Sequence, residues 1–411
     1  LSPGSAGEEV PQPYVQSNPS EPALATDITA SAAKIAPRLK VLAAEAEKIR
    51  RLTDEGVELV RSAGLLRTLQ PKRVGGHQLN LRAHLDVVST LSEGCVSTGW
   101  VVGVAHAHSW LIGHMTAAAQ DDVYGAGLDA VVAAVIGPRG GATQLSDGSY
   151  RLNGFWPFGS GSDHADWLML GAEVLNSNGD VQDWGDFLVR PEDIEKLDDW
   201  NSAGLAATGS HSLVGEDISV PAHRFISMPD VFAGNSPGRD LHEGPLYLSS
   251  PAPVLALALT GSAIGCAKSA LADYLDTIEG KTLAYTEHVQ TEWAPTQINV
   301  ANAAARIDAA ELLLYRSADS IDDHAAQNKP MPVQKRARVR MDCAQAVRFC
   351  LEAVDALFIN GGASGLALDK PLQRASRDLH AINMHGLLLL DVNAEAYGRI
   401  LLGLEPNSPL I

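Results

Sequence analysis

Positive charge is in short supply along this chain. Lys and Arg number 31 against 49 Asp and Glu, a formal net charge of −18, and the acidic residues are dispersed rather than gathered into a tail. Nucleic-acid binding rests on basic patches that release counterions from phosphate, so no nucleic-acid partner is expected. Cysteine is scarce as well. Cys95, Cys266, Cys343 and Cys350 form no CxxC pair, and none has a histidine at metal-ligand spacing; the expectation is buried thiols in a reducing cytoplasm. No metal is expected from the histidines either, because His106 and His108, two residues apart, diverge on a helix and no carboxylate pattern completes a ligand set. A lipid-compatible run is likewise missing. No charge occurs between Glu243 and Lys268, yet Pro245, Pro251 and Pro253 and the Ser, Thr and Gly content interrupt that stretch, which reads as a loop entering a buried core helix, with no membrane partner. The Gly-rich "IGPRGGAT" (136–143) lacks GxGxxG spacing and runs into a strand-like segment, which argues against a nicotinamide site.

What is present is a globular composition, 45% hydrophobic and 19% charged, in 411 residues, enough for two or three units with sizeable cores. The opening "LSPGSAGEEVPQPYVQSNPSEP" is rich in Pro, Ser and Gly and lacks a basic-then-apolar leader pattern; residues 1–24 are expected to be a flexible tail. From 25 to 130, apolar residues recur three or four apart among Ala, Leu, Glu and Arg, predicting a helical domain. From 131 to 240 the texture changes to short β-branched and aromatic runs such as "VVAAVIG", "DWLMLGAEV" and "GDFLVR", with NG and DG turn signals between them. These predict an antiparallel β domain. From 241 to 411 long periodic stretches predict a helical bundle.

Five stretches carry chemistry: "GCVSTGWVVGVAHAHSW" (94–110), "FWPFGSGSDHADW" (155–167), "DDWNSAGLAATGSHSLV" (198–214), "RDLHAINMHG" (377–386) and "YGRILLGLEPNSP" (397–409). In these motifs, and in the order helices, β unit, four-helix bundle, the chain resembles the oxygenase components of two-component flavin-dependent monooxygenases of the 4-hydroxyphenylacetate and secosteroid-phenol hydroxylase type. These have the acyl-CoA dehydrogenase fold. The resemblance implies that 155–167 lies against the isoalloxazine ring, with Trp156 and Phe158 as its wall, Ser162 nearby, and Ser160 donating to flavin N5 through its hydroxyl or backbone N–H. Glycines on both sides suit such a segment, because a residue without Cβ lets the backbone approach a planar ligand. On the residues alone it also reads as a hydrophobic hairpin with a Gly-rich bulge. Thr208 and Ser210 are implied to face the flavin pyrophosphate or ribityl chain.

The same fold serves dehydrogenases, which need a carboxylate base. Many place a Glu before a Gly shortly after an Arg-Asp pair; here Arg377-Asp378 is followed by His385 before Gly386. The resemblance therefore implies a monooxygenase that takes reduced FMN or FAD and O2 and hydroxylates a phenolic or indole-like aromatic through a C4a-hydroperoxyflavin. His108 is implied to contact the substrate hydroxyl, His385 to tune peroxide protonation, and Trp110 to line the substrate pocket beside His108. With no nicotinamide motif, reduced flavin is expected from a separate NAD(P)H:flavin reductase, and the relatives' assembly implies a homotetramer. Heteroatom oxidation at S or N, or acyl-CoA dehydrogenation with a base elsewhere, are the alternatives. His106, His114, His164 and His380 receive no role, although Asp163-His164 is placed to brace the flavin loop.

Overall fold

A computed structural model describes residues 21–408 and Ile411. The first twenty residues of the expected tail lie outside the described residues; its last four open the first helix, α1 (Glu21–Ile49). The N-terminal region continues with α2 (Asp54–Ser62), α3 (Leu81–Gly94), α4 (Val96–Gly113) and α5 (Ala117–Tyr124). Starts are set by side-chain caps: Thr53 accepts the Gly56 amide before α2 and Asn80 the Ala83 amide before α3. Helix α4 is apolar around its circumference, and every residue from Ser97 to Gly113 is buried, the pattern of a helix enclosed by others. Gly99 permits that enclosure: a Cβ there would lie 1.8 Å from Ser92 Oγ on α3.

Strands β1 (Val132–Gln144), β2 (Tyr150–Gly159), β3 (Trp167–Leu175), β4 (Val181–Val189), β5 (Glu195–Lys196), β6 (His211–Val220) and β7 (Phe225–Ser227) form one sheet in the order β5-β6-β2-β1-β3-β4-β7. The sheet is mixed rather than antiparallel, because β1 and β3 pair in parallel with Val132 opposite Trp167. The reason is topological. Strand β2 returns beside β1 as a hairpin; the chain then crosses the N-terminal end of β1 through residues 160–166 and adds β3 on the far side, a crossover that parallel pairing requires. That crossover is the glycine- and serine-rich motif. One face of the sheet closes on Leu152, Trp156, Leu168, Leu170, Phe187 and Leu213. On the other face Val132, Met169 and Leu188 join the core that contains α4.

After α6 (Met228–Ala233), α7 (Pro251–Leu257) and α8 (Gly261–Ile278), the helices α9 (Ala294–Ala326), α10 (Val333–Gly361), α11 (Pro371–Asn383) and α12 (Leu390–Leu401) complete the chain. Helix α10 is the hub, packing against α8, α9, α11 and α12. The stretch Pro251–Ile278 is long and apolar enough to cross a membrane, but 83% of its apolar window is buried inside the protein.

Candidate active site

The sheet crossover, the loop before β6 and α4 meet in one polar chain. Trp100 Nε1, on α4, donates to Ser160 Oγ at 3.2 Å; Ser160 Oγ lies 2.8 Å from Ser210 Oγ, and Ser210 Oγ 2.6 Å from Thr208 Oγ1. Thr208 Oγ1 donates to Leu205 O at 2.8 Å, and the Leu205 amide donates to Asp378 Oδ1 at 2.6 Å. Seven residues after Asp378, the His385 ring meets Trp100 edge to face with centroids 5.7 Å apart. The sequence motifs thus close a circuit through four separate segments. Ser160, Thr208, Ser210 and His385 are brought together. Trp100 and Asp378 were not singled out for it by sequence, since one helical Trp reads as core and Asp378 was noted only as half of an Arg-Asp pair.

Backbone conformation shapes the loop. Leu205 (φ 51°) and Gly209 (φ 55°) bracket the turn Ala206–Thr208 in the left-handed region; for a leucine that is a strained state held by its surroundings. Gly209 is required twice over, since a Cβ would lie 2.2 Å from Asp163 Oδ2. Asp163 itself pairs with Lys196 at 2.5 Å and His211 at 3.4 Å, so it braces the loop as expected, whereas His164 Nε2 turns away to Leu52 O at 2.9 Å. Phe158 adopts φ 67° and is 68% exposed, with its ring edge-on to Trp200 at 6.3 Å. This exposed aromatic on strained backbone stands beside the partly exposed Ser160.

Three assignments change. Trp156 is fully buried in the β core, its indole N–H donating to Gly171 O at 2.7 Å. It has no face to give a cofactor, because period-2 alternation turns it inward while its neighbour Phe155 turns out. Trp110 is also fully buried, with its N–H on Leu246 O at 3.1 Å and its ring 4.4 Å from His114; it is core of α4, not pocket wall. Ser162 is buried and spends its hydroxyl on Gly209 O at 3.1 Å, joining the crossover to the loop. The Ser160 amide is likewise spent, on Phe158 O at 2.9 Å, leaving only the hydroxyl to face a ligand.

The two histidines take opposite tautomers. His108 Nδ1 lies 2.6 Å from Val132 O; a carbonyl only accepts, so Nδ1 carries the proton and Nε2 presents a lone pair. His385 Nδ1 instead accepts the Leu387 amide at 3.3 Å, which puts its proton on Nε2. Burial lowers both from 6.5 to about 4, with the Arg340 charge adding to the effect at His385. Both imidazoles are neutral at pH 7, one an acceptor and the other a donor. His106, by contrast, faces away: its Nδ1 lies 3.0 Å from His84 Nδ1 in the helical core.

The exposed Phe158 ring, the Ser160 hydroxyl and the His385 imidazole stand on segments joined by the polar chain, whereas His108, buried against Val132 O, is tied to them through α4. Comparison with known proteins identifies the family. Residues 257–389 match the family described as Acyl-CoA dehydrogenase, C-terminal domain. The chain is 32% identical over 353 residues, 85% of this chain and 91% of the relative, to the oxygenase subunit HsaA of a flavin-dependent monooxygenase from Rhodococcus jostii. It is 33% identical over 390 residues, 91% and 94% of the two chains, to the oxygenase component of the FADH2-dependent resorcinol hydroxylase of a Rhizobium species. The chain belongs to the flavin-dependent monooxygenase oxygenase components. The structure of XiaF from a Streptomyces species, in complex with FADH2 and glycerol, superposes with a TM-score of 0.88 at 30% identity, covering 95% of this chain and 98% of that one.

As a flavin-dependent monooxygenase the protein uses reduced flavin and O2. Bound reduced flavin supplies the two-electron activation of O2; Phe158, Ser160 and His385 would meet it, with the buried Thr208 and Ser210 behind Ser160. Before Gly386, where many acyl-CoA dehydrogenases would place their base, stands an imidazole; Asp378 accepts the Leu205 amide, and Glu47 is paired with Arg377 at 2.5 Å and Arg374 at 3.4 Å.

Proposed function

We propose that this oxygenase component hydroxylates a small phenolic or indole-like aromatic, with His108 receiving the substrate hydroxyl and His385 acting on the flavin side. The tautomer of His108 carries this reading. Its Nε2 makes no hydrogen bond among the described residues and offers a lone pair, while Val132 O fixes the ring through Nδ1. A phenol of ordinary pKa near 10 would lie about 6 units above an imidazole at about 4, so full transfer in the resting complex costs on the order of 8 kcal/mol. His108 therefore holds the phenol by a hydrogen bond and takes its proton only as the C–O bond forms, which is general-base catalysis in the transition state. His385 Nε2–H is a fixed donor for an oxygen carrying developing negative charge.

The names of the relatives speak of oxygenase components and subunits, which supports a separate NAD(P)H:flavin reductase as partner. A homotetramer is supported by bulky apolar side chains left exposed at the C-terminal end, including Leu366 at 65%, Leu368 at 77%, Met384 at 69% and Leu402 at 80%. A monomer mass in light scattering would reject it. Four buried free thiols support a cytoplasmic setting, which cell fractionation tests.

The experiment is to supply chemically reduced flavin, O2 and a panel of phenols and indoles to the purified protein and measure hydroxylated product against H2O2. Product formed with a phenol and lost in His108→Ala supports the reading; H2O2 alone from every aromatic tried rejects it.

A further inference from the structure

Residues 125–131 join α5 to the sheet without helix or strand of their own, and β1 starts at Val132. A side chain holds this entry where no strand does. The Val131 amide donates to Asp166 Oδ2 at 2.8 Å, and the Val131 carbonyl accepts the amides of Asp166 at 2.8 Å and Trp167 at 3.3 Å. Both polar groups of Val131 therefore point to the β3 side. Successive residues of an extended chain turn their N–H and C=O to opposite edges, so Val132 turns its carbonyl away from β3. Strand β2 pairs with β1 only from Gly140 to Gln144, which leaves that edge open at Val132. His108 Nδ1 fills it, 2.6 Å from Val132 O.

Asp166 is itself anchored. Arg61, on α2, donates through one guanidinium nitrogen to Asp166 Oδ2 at 2.7 Å and to His164 O at 3.4 Å. The side chains of Val131 and Val132 are buried in different cores, one with Val102 and Ala105 of α4, the other with Val104 and Ala107. Apolar packing is non-directional, so it sets the depth of the chain and leaves the direction of a carbonyl to hydrogen bonds. We propose that Asp166 is a positioning residue for His108: by holding Val131 from the β3 side it aims the Val132 carbonyl at the imidazole, which keeps the proton on Nδ1 and the lone pair on Nε2. Without the Asp166 oxygen the Val131 amide has no partner and the peptide is free to rotate. His108 then loses the contact that selects its tautomer, and with the proton on Nε2 the ring has nothing with which to accept from a substrate hydroxyl. The ion pair between Arg61 and Asp166 is secondary, because both side chains are partly exposed and such pairs contribute little. The oxygen matters more than the charge.

The inference rests on the reading of His108 as the group that receives the substrate hydroxyl. Its test is turnover of a phenol with chemically reduced flavin, reading kcat, KM, product against H2O2 and the dissociation constant of reduced flavin, together with hydrogen exchange in peptides spanning 125–135. Asp166→Ala should cut kcat by about tenfold or more, shift output from product to H2O2, speed exchange in that segment and leave reduced-flavin affinity unchanged. Asp166→Val replaces it, with the same expectation, if the alanine variant is not recovered folded. Asp166→Asn keeps an oxygen for the Val131 amide, and it and Arg61→Met should stay within about twofold of wild type. In a His108→Ala background Asp166→Ala should bring no further loss, since its effect passes through the imidazole. Wild-type kcat in Asp166→Ala, equal losses in the Asn, Met and Ala variants, or a further loss on top of His108→Ala each overturn the positioning role while His108 keeps its own. Product formation untouched by His108→Ala overturns the reading of His108 and the inference with it.

Discussion

The amide of Leu205 donates to the carboxyl of Asp378 at 2.6 Å, joining the cofactor loop to α11 across 173 residues. Burial raises Asp378 from 3.8 to about 7, and either protonation state keeps an oxygen that accepts. Asp378→Asn also keeps one. Asp378→Leu leaves the Leu205 amide unpaired, costs about 1–3 kcal/mol, and should weaken reduced-flavin binding about tenfold. Thermal unfolding and flavin titration check this; equal behaviour of the Asn and Leu variants would contradict a positioning role.

His108→Ala should lower hydroxylation of a phenol by about 10²–10⁴-fold while reduced-flavin affinity holds. The acid limb of the pH profile for wild-type kcat/KM should fall near 4 rather than near 6.5, since burial depresses this imidazole. An oxidation at sulfur or nitrogen has no phenol proton to move. If His108→Ala spares product formation entirely, the heteroatom reading gains.

His385→Phe keeps an edge for Trp100 but removes the Nε2–H donor. The expected result is H2O2 released in place of product, with O2 consumption per flavin unchanged. Product yield that stays at the wild-type level would remove His385 from the chemistry.

Asp186, on β4, is fully buried and neither of its carboxylate oxygens has a hydrogen-bond partner among the described residues; burial raises its pKa from 3.8 to about 7. Between those values the unfolded chain releases this proton and the folded chain keeps it, so the group's contribution to stability is full below 3.8 and is lost as pH rises to 7. Asp186→Asn has no such loss. Its stability relative to wild type should improve by up to about 4 kcal/mol from pH 4 to pH 8. Chemical denaturation at the two pH values measures this, and a constant difference would mean Asp186 is solvated or paired.

The buried imidazoles act in the opposite sense. His84 and His114 are lowered to about 3, and His106, His108 and His385 to about 4. Below 6.5 the unfolded chain binds protons that the folded chain refuses, so each contributes stability above 6.5 that fades as pH falls toward 4. The melting temperature should drop steeply between pH 6 and 4.5; a flat profile there would contradict their burial as neutral groups.

Much of this was legible before any coordinates. The helical periodicity, the β texture between 131 and 240, and the missing carboxylate before Gly386 come directly from residue order. The set of side chains that gather followed from the family resemblance instead, since glycine and hydroxyl residues cluster also at 140–149 and 260–265. The tryptophans were read less well. Trp156 and Trp110 stand in the right motifs, but β2 lies between two other strands and α4 is buried all round, so neither alternation nor helical phase tells which aromatic reaches a ligand. Trp100 carried no local signal, since its role depends on Ser160 and His385 arriving from other segments.

The sequence by itself determined which chemistry was available: the motif hydroxyls, the imidazoles of His108 and His385, no carboxylate before Gly386 and no nicotinamide motif. Only the tertiary structure decided where the protons sit. A hydroxyl's direction and an imidazole's tautomer are set by the nearest obligate acceptor or donor, and here those are Leu205 O for the hydroxyl chain, Val132 O for His108 and the Leu387 amide for His385. Backbone groups are the same at every position along a chain, so nothing in residue identity announces which of them the fold will bring into reach.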